Sequence, residues 1–79
     1  MNESFLGTIF LFAGNFAPKG YAMCDGQVMQ IRENSALFSI LGTTYGGDGR
    51  TTFALPKLSG PTAGTSYIIA LNGVYPSRE

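Results

Sequence analysis

Two stretches of the sequence are apolar at successive positions, so that neither face of the resulting strand would be polar. Residues 5–13 combine Phe, Leu, Ile and Thr and are followed by a Gly-Asn turn signal; residues 67–71 read Tyr-Ile-Ile-Ala-Leu and continue, after Asn-Gly, to residue 75. Such runs predict strands. In the first, side chains alternate between two apolar faces, with Ile9, Leu11 and Ala13 on one and Phe10 and Phe12 on the other.

A central pattern indicates a hairpin. Asp25-Gly26 separates the extended runs 20–24 and 27–31. A two-residue Asp-Gly between such runs is a strong hairpin signal. It places Met23 opposite Val28 and Ala22 opposite Met29.

A short helix is predicted at residues 35–41. Asn34 precedes it as the expected N-cap, and Gly42 follows it as the expected C-cap. Leu37, Ile40 and Leu41 fall on one helical face. Because two turns of helix are unstable alone, this face must pack on the sheet.

These elements predict an α+β fold in a single domain, 1–79: a small antiparallel sheet of 5–13, 20–24, 27–31 and 67–75, with one helix. One short helix covers only one face of the sheet, and large exposed apolar patches are rare on monomers. We therefore expect a homo-oligomer. The alternative is that the loop residues Phe16, Tyr45 and Phe53 fold over the second face. Residues expected near the subunit contacts are Phe10, Phe12, Ile69 and Leu71.

Composition narrows the function. The 79 residues carry five Lys+Arg and five Asp+Glu, so the net charge is zero and the basic footprint of a nucleic-acid binder is missing. There is no His and one Cys, which excludes a His-ligated metal, a Cys-cluster metal site and an intramolecular disulfide. We expect no metal, no cofactor and no enzymatic activity. Cys24 is expected to be buried and inert, since no His, Lys or Arg lies near it in sequence to lower its pKa.

No targeting segment is expected. Residues 5–13 are apolar, but the residues before them include the acidic Glu3 and no Lys or Arg. The positively charged region of a signal peptide is therefore missing. The run is also shorter than the roughly 20 residues of a membrane-spanning helix. We expect neither a signal peptide nor membrane insertion.

The glycine-rich region 43–52 is the candidate for recognition. Residues 46–51 look like a phosphate cradle but lack the Gly-Lys-Ser/Thr ending. Two interpretations remain. Asp48 and Arg50 either tie the loop down locally, or they act with Tyr45 in an exposed loop that contacts sugar or protein.

Much of the chain resembles the phage tail collar domain family, which includes bacterial proteins labelled microcystin-dependent. The resemblance rests on residues 5–9 (FLGTI), 12–27 (FAGNFAPKGYAMCDGQ), 34–56 (NSALFSILGTTYGGDGRTTFALP) and 67–78 (YIIALNGVYPSR). It implies an intertwined homotrimer that is part of a tail fibre, at or near the receptor-binding tip, in a phage tail or a tail-derived contractile injection particle. The partners it implies are tail-fibre or baseplate proteins.

The chain departs from that family at one place. Longer members carry a large segment between the Leu-Pro-x-Leu turn, here residues 55–58, and the terminal strand at Tyr67. In the fibre-tip relatives this segment holds the variable receptor-binding part and, in some, a His-x-His metal site on the threefold axis. Here eight residues join the two. The resemblance therefore implies the family's scaffold alone, without that metal site.

Three functions follow as hypotheses. The first is a structural tip or cap of a tail fibre or injection particle, made in the bacterial cytoplasm and located in the particle. The second is a module that binds a cell-surface receptor, a carbohydrate such as a glycan or a protein, through the 43–52 loop. The third is a bacterial regulatory binder that acts in the cytoplasm.

Overall fold

Five strands and one helix make up the computed structural model, which describes residues 4–77. The fold is α+β, as predicted from the sequence. Glu3 and Arg78, used above in the argument on targeting and in the resemblance, lie outside the described residues. The 3₁₀ turn Ile31–Glu33 precedes the helix. The elements in chain order are β1 (Ile9–Phe12), β2 (Tyr21–Met23), β3 (Val28–Gln30), α1 (Ser35–Leu41), β4 (Thr52–Ala54) and β5 (Ser66–Ala70).

The two apolar terminal runs lie side by side, as expected. They form β1 and β5, which pair antiparallel with Ile9 opposite Ile69. On its other edge β5 pairs antiparallel with β2, giving the sheet order β1-β5-β2. Both strands are shorter than the apolar runs that predicted them. Phe5 and Val74, near their ends, form only an isolated parallel bridge.

The predicted hairpin across Asp25-Gly26 is wrong. Met23 pairs with Ile68 of β5, whereas Val28 pairs with Ala54 of β4, so the two runs belong to different sheets. Residues 55–58 lie beside the turn instead. The N–H groups of Gly26, Leu55 and Leu58 form hydrogen bonds with the carbonyl oxygens of Pro56, Gln27 and Cys24, respectively.

The predicted single four-stranded sheet is therefore two antiparallel sheets, one of three strands and one of two. The reason is long-range. β5 buries its last three residues, Ile68–Ala70, and β4 buries Phe53 and Ala54, so each provides a better partner than a local hairpin would. The Asp-Gly pair still turns the chain, since the Asp25 carboxylate accepts a hydrogen bond from the Gln27 N–H at 3.1 Å.

The core lies between the two sheets and the helix. Leu37 of α1 is buried there, and Ile40 and Leu41 pack against it, as the helical pattern predicted. Phe53 was considered above as a loop residue that covers the second face of the sheet. It lies instead in β4 and is fully buried in this core. The core cluster consists of Leu6, Ala22, Cys24, Leu37, Phe53, Leu55 and Ile69.

The helix bounds match the prediction, but one cap differs. Gly42 ends α1 with φ of 58° and donates its N–H to the Phe38 carbonyl at 2.7 Å. Asn34 occupies the N-cap position, yet its side chain donates to the Gln30 carbonyl at 3.1 Å and caps no helix N–H. The preceding 3₁₀ turn therefore takes the side chain expected to cap α1.

The second face of the three-stranded sheet is partly covered by its own aromatic side chains. Ile68 and Ala70 of β5 are buried outside the core cluster. The rings of Phe10 and Tyr21, from the two strands that flank β5, meet edge to face with centroids 5.9 Å apart. Phe16 packs on Phe12 in the same geometry at 5.6 Å, so one of the loop residues considered as a cover does lie against β1.

The residues expected at subunit contacts differ in exposure. Ile69 is 0% exposed in the chain's own core, so its side chain offers no surface to a partner. Phe10, Phe12 and Leu71 are half-buried. In residues 4–77 no helix has the length and apolarity needed to span a membrane.

Candidate functional site

The 43–52 loop connects α1 to β4 and has a backbone shape that its glycines make possible. Gly46, Gly47 and Gly49 all have positive φ, a region that other residues rarely adopt. At Gly47 the backbone passes so close to β4 that a Cβ would lie 2.3 Å from the Phe53 Cα. The Gly46 carbonyl also accepts a hydrogen bond from the Ala54 N–H at 3.0 Å. The loop is thus packed against the buried strand.

Asp48 organises the tip of this loop. Its Oδ1 accepts hydrogen bonds from three successive backbone N–H groups, those of Arg50, Thr51 and Thr52, at 2.8, 2.9 and 3.0 Å. The Thr51 hydroxyl donates to Oδ2 at 3.2 Å. These bonds favour the ionised carboxylate and hold the pKa of Asp48 well below its usual range.

The three residues singled out in the loop therefore divide. The Asp48 carboxylate forms its hydrogen bonds within its own loop, which agrees with the first of the two interpretations drawn from the sequence. Tyr45 and Arg50 are exposed. Arg50 meets Asp48 through its backbone N–H.

Arg50 shares a groove with Arg32, a residue that the sequence pattern did not single out. Arg50 and Thr51 form one side of a groove of about 220 Å³, and Gln30, Ile31 and Arg32 form the other. We call this the arginine groove. The signal that could have revealed it is the β3–β4 register, in which Gln30 lies opposite Thr52. Predicting that pairing required rejecting the local hairpin.

Cys24 is buried, as expected. Burial raises the pKa of the Cys24 thiol, and the neighbouring Asp25 carboxylate raises it further. Both effects disfavour the reactive thiolate. Within residues 4–77 no group of three or more His, Cys, Asp or Glu side chains is placed to hold a metal ion.

Two other cavities lie beside the helix. One, of about 420 Å³, is open at the start of α1 and is lined by Glu33, Asn34 and Leu71 among others. The second lies at the other end, where the Ser39 and Tyr75 hydroxyls form a short hydrogen bond. This bond joins the helix to the segment that follows β5.

Comparison with known families gives a direct assignment. Residues 7–63 match the model of the Phage Tail Collar Domain, which is most of the chain. The chain belongs to the phage tail collar domain family. The match includes β1 to β4, the helix and the 43–52 loop, and ends before β5. No curated protein matches the sequence.

Membership of the collar family gives the chain a coarse role. Phage tail collar domains are structural domains of phage tails. The family therefore indicates a structural component of a phage tail fibre, located in the virion tail and associated with other tail proteins.

Proposed function

We propose that this collar domain forms a homotrimer that caps or tips a phage tail fibre, or the fibre of a tail-derived contractile injection particle. The observation that supports this most directly is the apolar surface along β1. Leu11 and Phe5 are 51% and 55% exposed, and Ile9 and Val74 are exposed beside them. Aliphatic and aromatic side chains in this number along one edge of a small domain favour a protein partner.

The proposed contact is the edge of the three-stranded sheet. β1 is an outer strand, so its backbone and the side chains of Ile9 and Leu11 are available to a neighbouring copy. Phe10 and Phe12, also expected near the contact, lie on the same strand and are half-buried, which leaves part of each side chain free to touch a partner. Leu71 is likewise half-buried, whereas Ile69 is buried in the chain's own core and is not part of the proposed contact.

The role would be passive and would need no catalytic group. A rigid trimer presents three copies of each surface loop at the end of a fibre, and simultaneous contacts by three copies strengthen weak binding. Charged residues are 13% of the chain, about half the usual share, which fits a surface that is partly covered in an assembly.

The test is the solution mass of the protein by light scattering after size-exclusion chromatography, at several concentrations. A stable mass three times that of the 8.4 kDa chain supports the trimer. A mass of one chain at every concentration contradicts it. Immunogold labelling of purified particles, with signal at fibre ends, tests the tip position separately.

A second candidate function is receptor binding through the 43–52 loop. It is favoured by the combination of a rigid loop backbone with the exposed side chains of Tyr45 and Arg50. A preorganised loop loses little conformational freedom on binding. The test is adhesion of the protein to host cells. Loss of adhesion in Tyr45→Ala supports the candidate, and wild-type protein that adheres to no host surface contradicts it.

A further inference from the structure

The arginine groove is small and carries two of the chain's five basic residues. Its volume of about 220 Å³ is below the roughly 300–1,000 Å³ of pockets that take drug-sized ligands. Besides the two arginines, the groove is lined by the amide side chain of Gln30, the hydroxyl-bearing side chain of Thr51 and the aliphatic side chain of Ile31. A groove of this size fits one sugar ring or one charged group.

The sheet register explains why the two arginines line one groove. β3 and β4 pair with Gln30 opposite Thr52, and beyond the last pair the Ile31 N–H donates to the Thr51 carbonyl at 2.9 Å. Beyond this bond the chain after β3 enters the 3₁₀ turn Ile31–Glu33, which carries Arg32, and Arg50 lies just before β4, so both arginines line the same groove. Two positive charges that line one small groove repel each other, and an anion bound between them would offset that repulsion.

The nearest acidic residues in sequence do not supply that anion within the groove. The Asp48 carboxylate accepts the N–H groups of its own loop, and Glu33 lines the separate cavity at the start of α1. Within residues 4–77, neither the Arg32 nor the Arg50 guanidinium has a hydrogen-bond or ion-pair partner. Both groups therefore keep their donors for a ligand.

We propose that Arg32 and Arg50 bind an oxyanion, a carboxylate or a phosphate, carried by a sugar of a cell-surface polysaccharide. Guanidinium groups bind such oxyanions with paired hydrogen bonds. The Gln30 amide and the Thr51 hydroxyl offer hydrogen bonds to sugar hydroxyls, and Ile31 offers an apolar contact to the ring. The inference rests on the receptor-binding candidate and gives that candidate a site and a ligand class.

The experiment is a titration of the isotope-labelled protein followed by amide NMR shifts. The probes are glucuronate, glucose 6-phosphate, uncharged glucose and a triglutamate peptide. We expect saturable shifts at the amides of Gln30, Arg32 and Arg50 with one or both of the anionic sugars and none with glucose. Shifts with glucuronate alone identify a carboxylate ligand, and shifts with glucose 6-phosphate alone identify a phosphate ligand.

Charge-neutral variants assign the site. Arg32→Gln and Arg50→Gln should each weaken binding about tenfold, since each removes charged hydrogen bonds to the ligand. Lys19→Gln removes one positive charge from the loop before β2, outside the groove, and should leave the affinity within about twofold because exposed charges are screened by salt. Dispersed amide spectra of each variant establish that it is folded.

Several results would overturn the proposal. They are no shift with either anionic sugar, equal shifts with glucose, an equal loss of affinity in Lys19→Gln, and binding of triglutamate alone. The two proposals can also fail separately. If anionic sugars bind but Arg50→Gln still adheres to host cells as the wild type does, the groove stands and its receptor role fails. If Tyr45→Ala abolishes adhesion but no anionic sugar binds, the groove proposal fails alone.

Discussion

At the scale of single residues, Asp48 makes the 43–52 loop sensitive to acid. Its pKa is lowered in the folded protein because the backbone N–H groups of Thr51, Thr52 and Arg50 stabilise the ionised form. The stability that these bonds contribute is complete above the ordinary carboxyl pKa of 3.8 and is lost as the pH falls below that value, toward the lower pKa of the folded state.

We therefore predict that Asp48→Asn unfolds at a lower temperature than the wild type at pH 7, and that the gap narrows as the pH falls below 3.8. Thermal unfolding followed by circular dichroism between pH 7 and pH 2 measures this. Asp25→Asn is the matched control, since within residues 4–77 the Asp25 carboxylate accepts a single backbone hydrogen bond, from the Gln27 N–H. A gap for Asp48→Asn that does not change with pH would contradict the assigned role.

Gly47 fixes the approach of the same loop to β4. A Cβ at this position would lie 2.3 Å from the Phe53 Cα and 2.7 Å from its N, and φ is 93°. We predict that Gly47→Ala lowers the free energy of unfolding by about 3 kcal/mol, from backbone strain and steric overlap together.

Gly64 separates these two causes. Its φ is 83°, but a Cβ there would meet nothing within 4 Å. Gly64→Ala should therefore cost only the strain, about 1 kcal/mol. Urea denaturation of both variants gives the comparison. Equal losses would show that the close contact at Phe53 is relieved by a small shift of the loop.

At the scale of elements, α1 depends on packing. Its seven residues are too few for a stable isolated helix, and Leu37 is its one buried side chain. We predict that Leu37→Ala lowers the free energy of unfolding by about 3 kcal/mol, because the change leaves a cavity in the core. Leu58→Ala, at an exposed leucine, should cost less than about 1 kcal/mol. Similar losses in urea denaturation would contradict this account.

An element can be predicted from the sequence when the residues that decide it are close together in the chain. The helix 35–41 was predicted to the residue because its apolar spacing and its Gly42 terminus are local. The Asp25-Gly26 hairpin was predicted wrongly because the partners of β2 and β3 are distant segments, β5 and β4. The local turn chemistry is present at Asp25, but it does not decide which strands pair.

The same limit explains what was missed in the candidate site. Tyr45, Asp48 and Arg50 could be found in the sequence because they lie within one glycine-rich stretch. Arg32 could not, because only the β3–β4 pairing brings it to the same groove as Arg50. Nor could spacing alone show that the Asp48 carboxylate is occupied by backbone N–H groups.

At the scale of the whole molecule, the three-stranded sheet is apolar on both faces. One face packs on the core, and the other is partly covered by Phe10 and Tyr21. Within this sheet the exposed large apolar side chains are those of Ile9 and Leu11, both on the edge strand β1. The trimer proposal thus depends on an edge contact rather than on the wide open face that the sequence suggested.

Leu11→Glu tests this edge. Because Leu11 is half exposed in the single chain, a charge there should leave the chain folded, while burying that charge between subunits would be costly. We predict that light scattering gives a mass near one chain for Leu11→Glu and near three chains for the wild type. Leu58→Glu, at a leucine of similar exposure away from β1, should keep the wild-type mass. If both variants stay trimeric, β1 is not the contact; if both dissociate, the contact extends beyond β1 to the segment after β4.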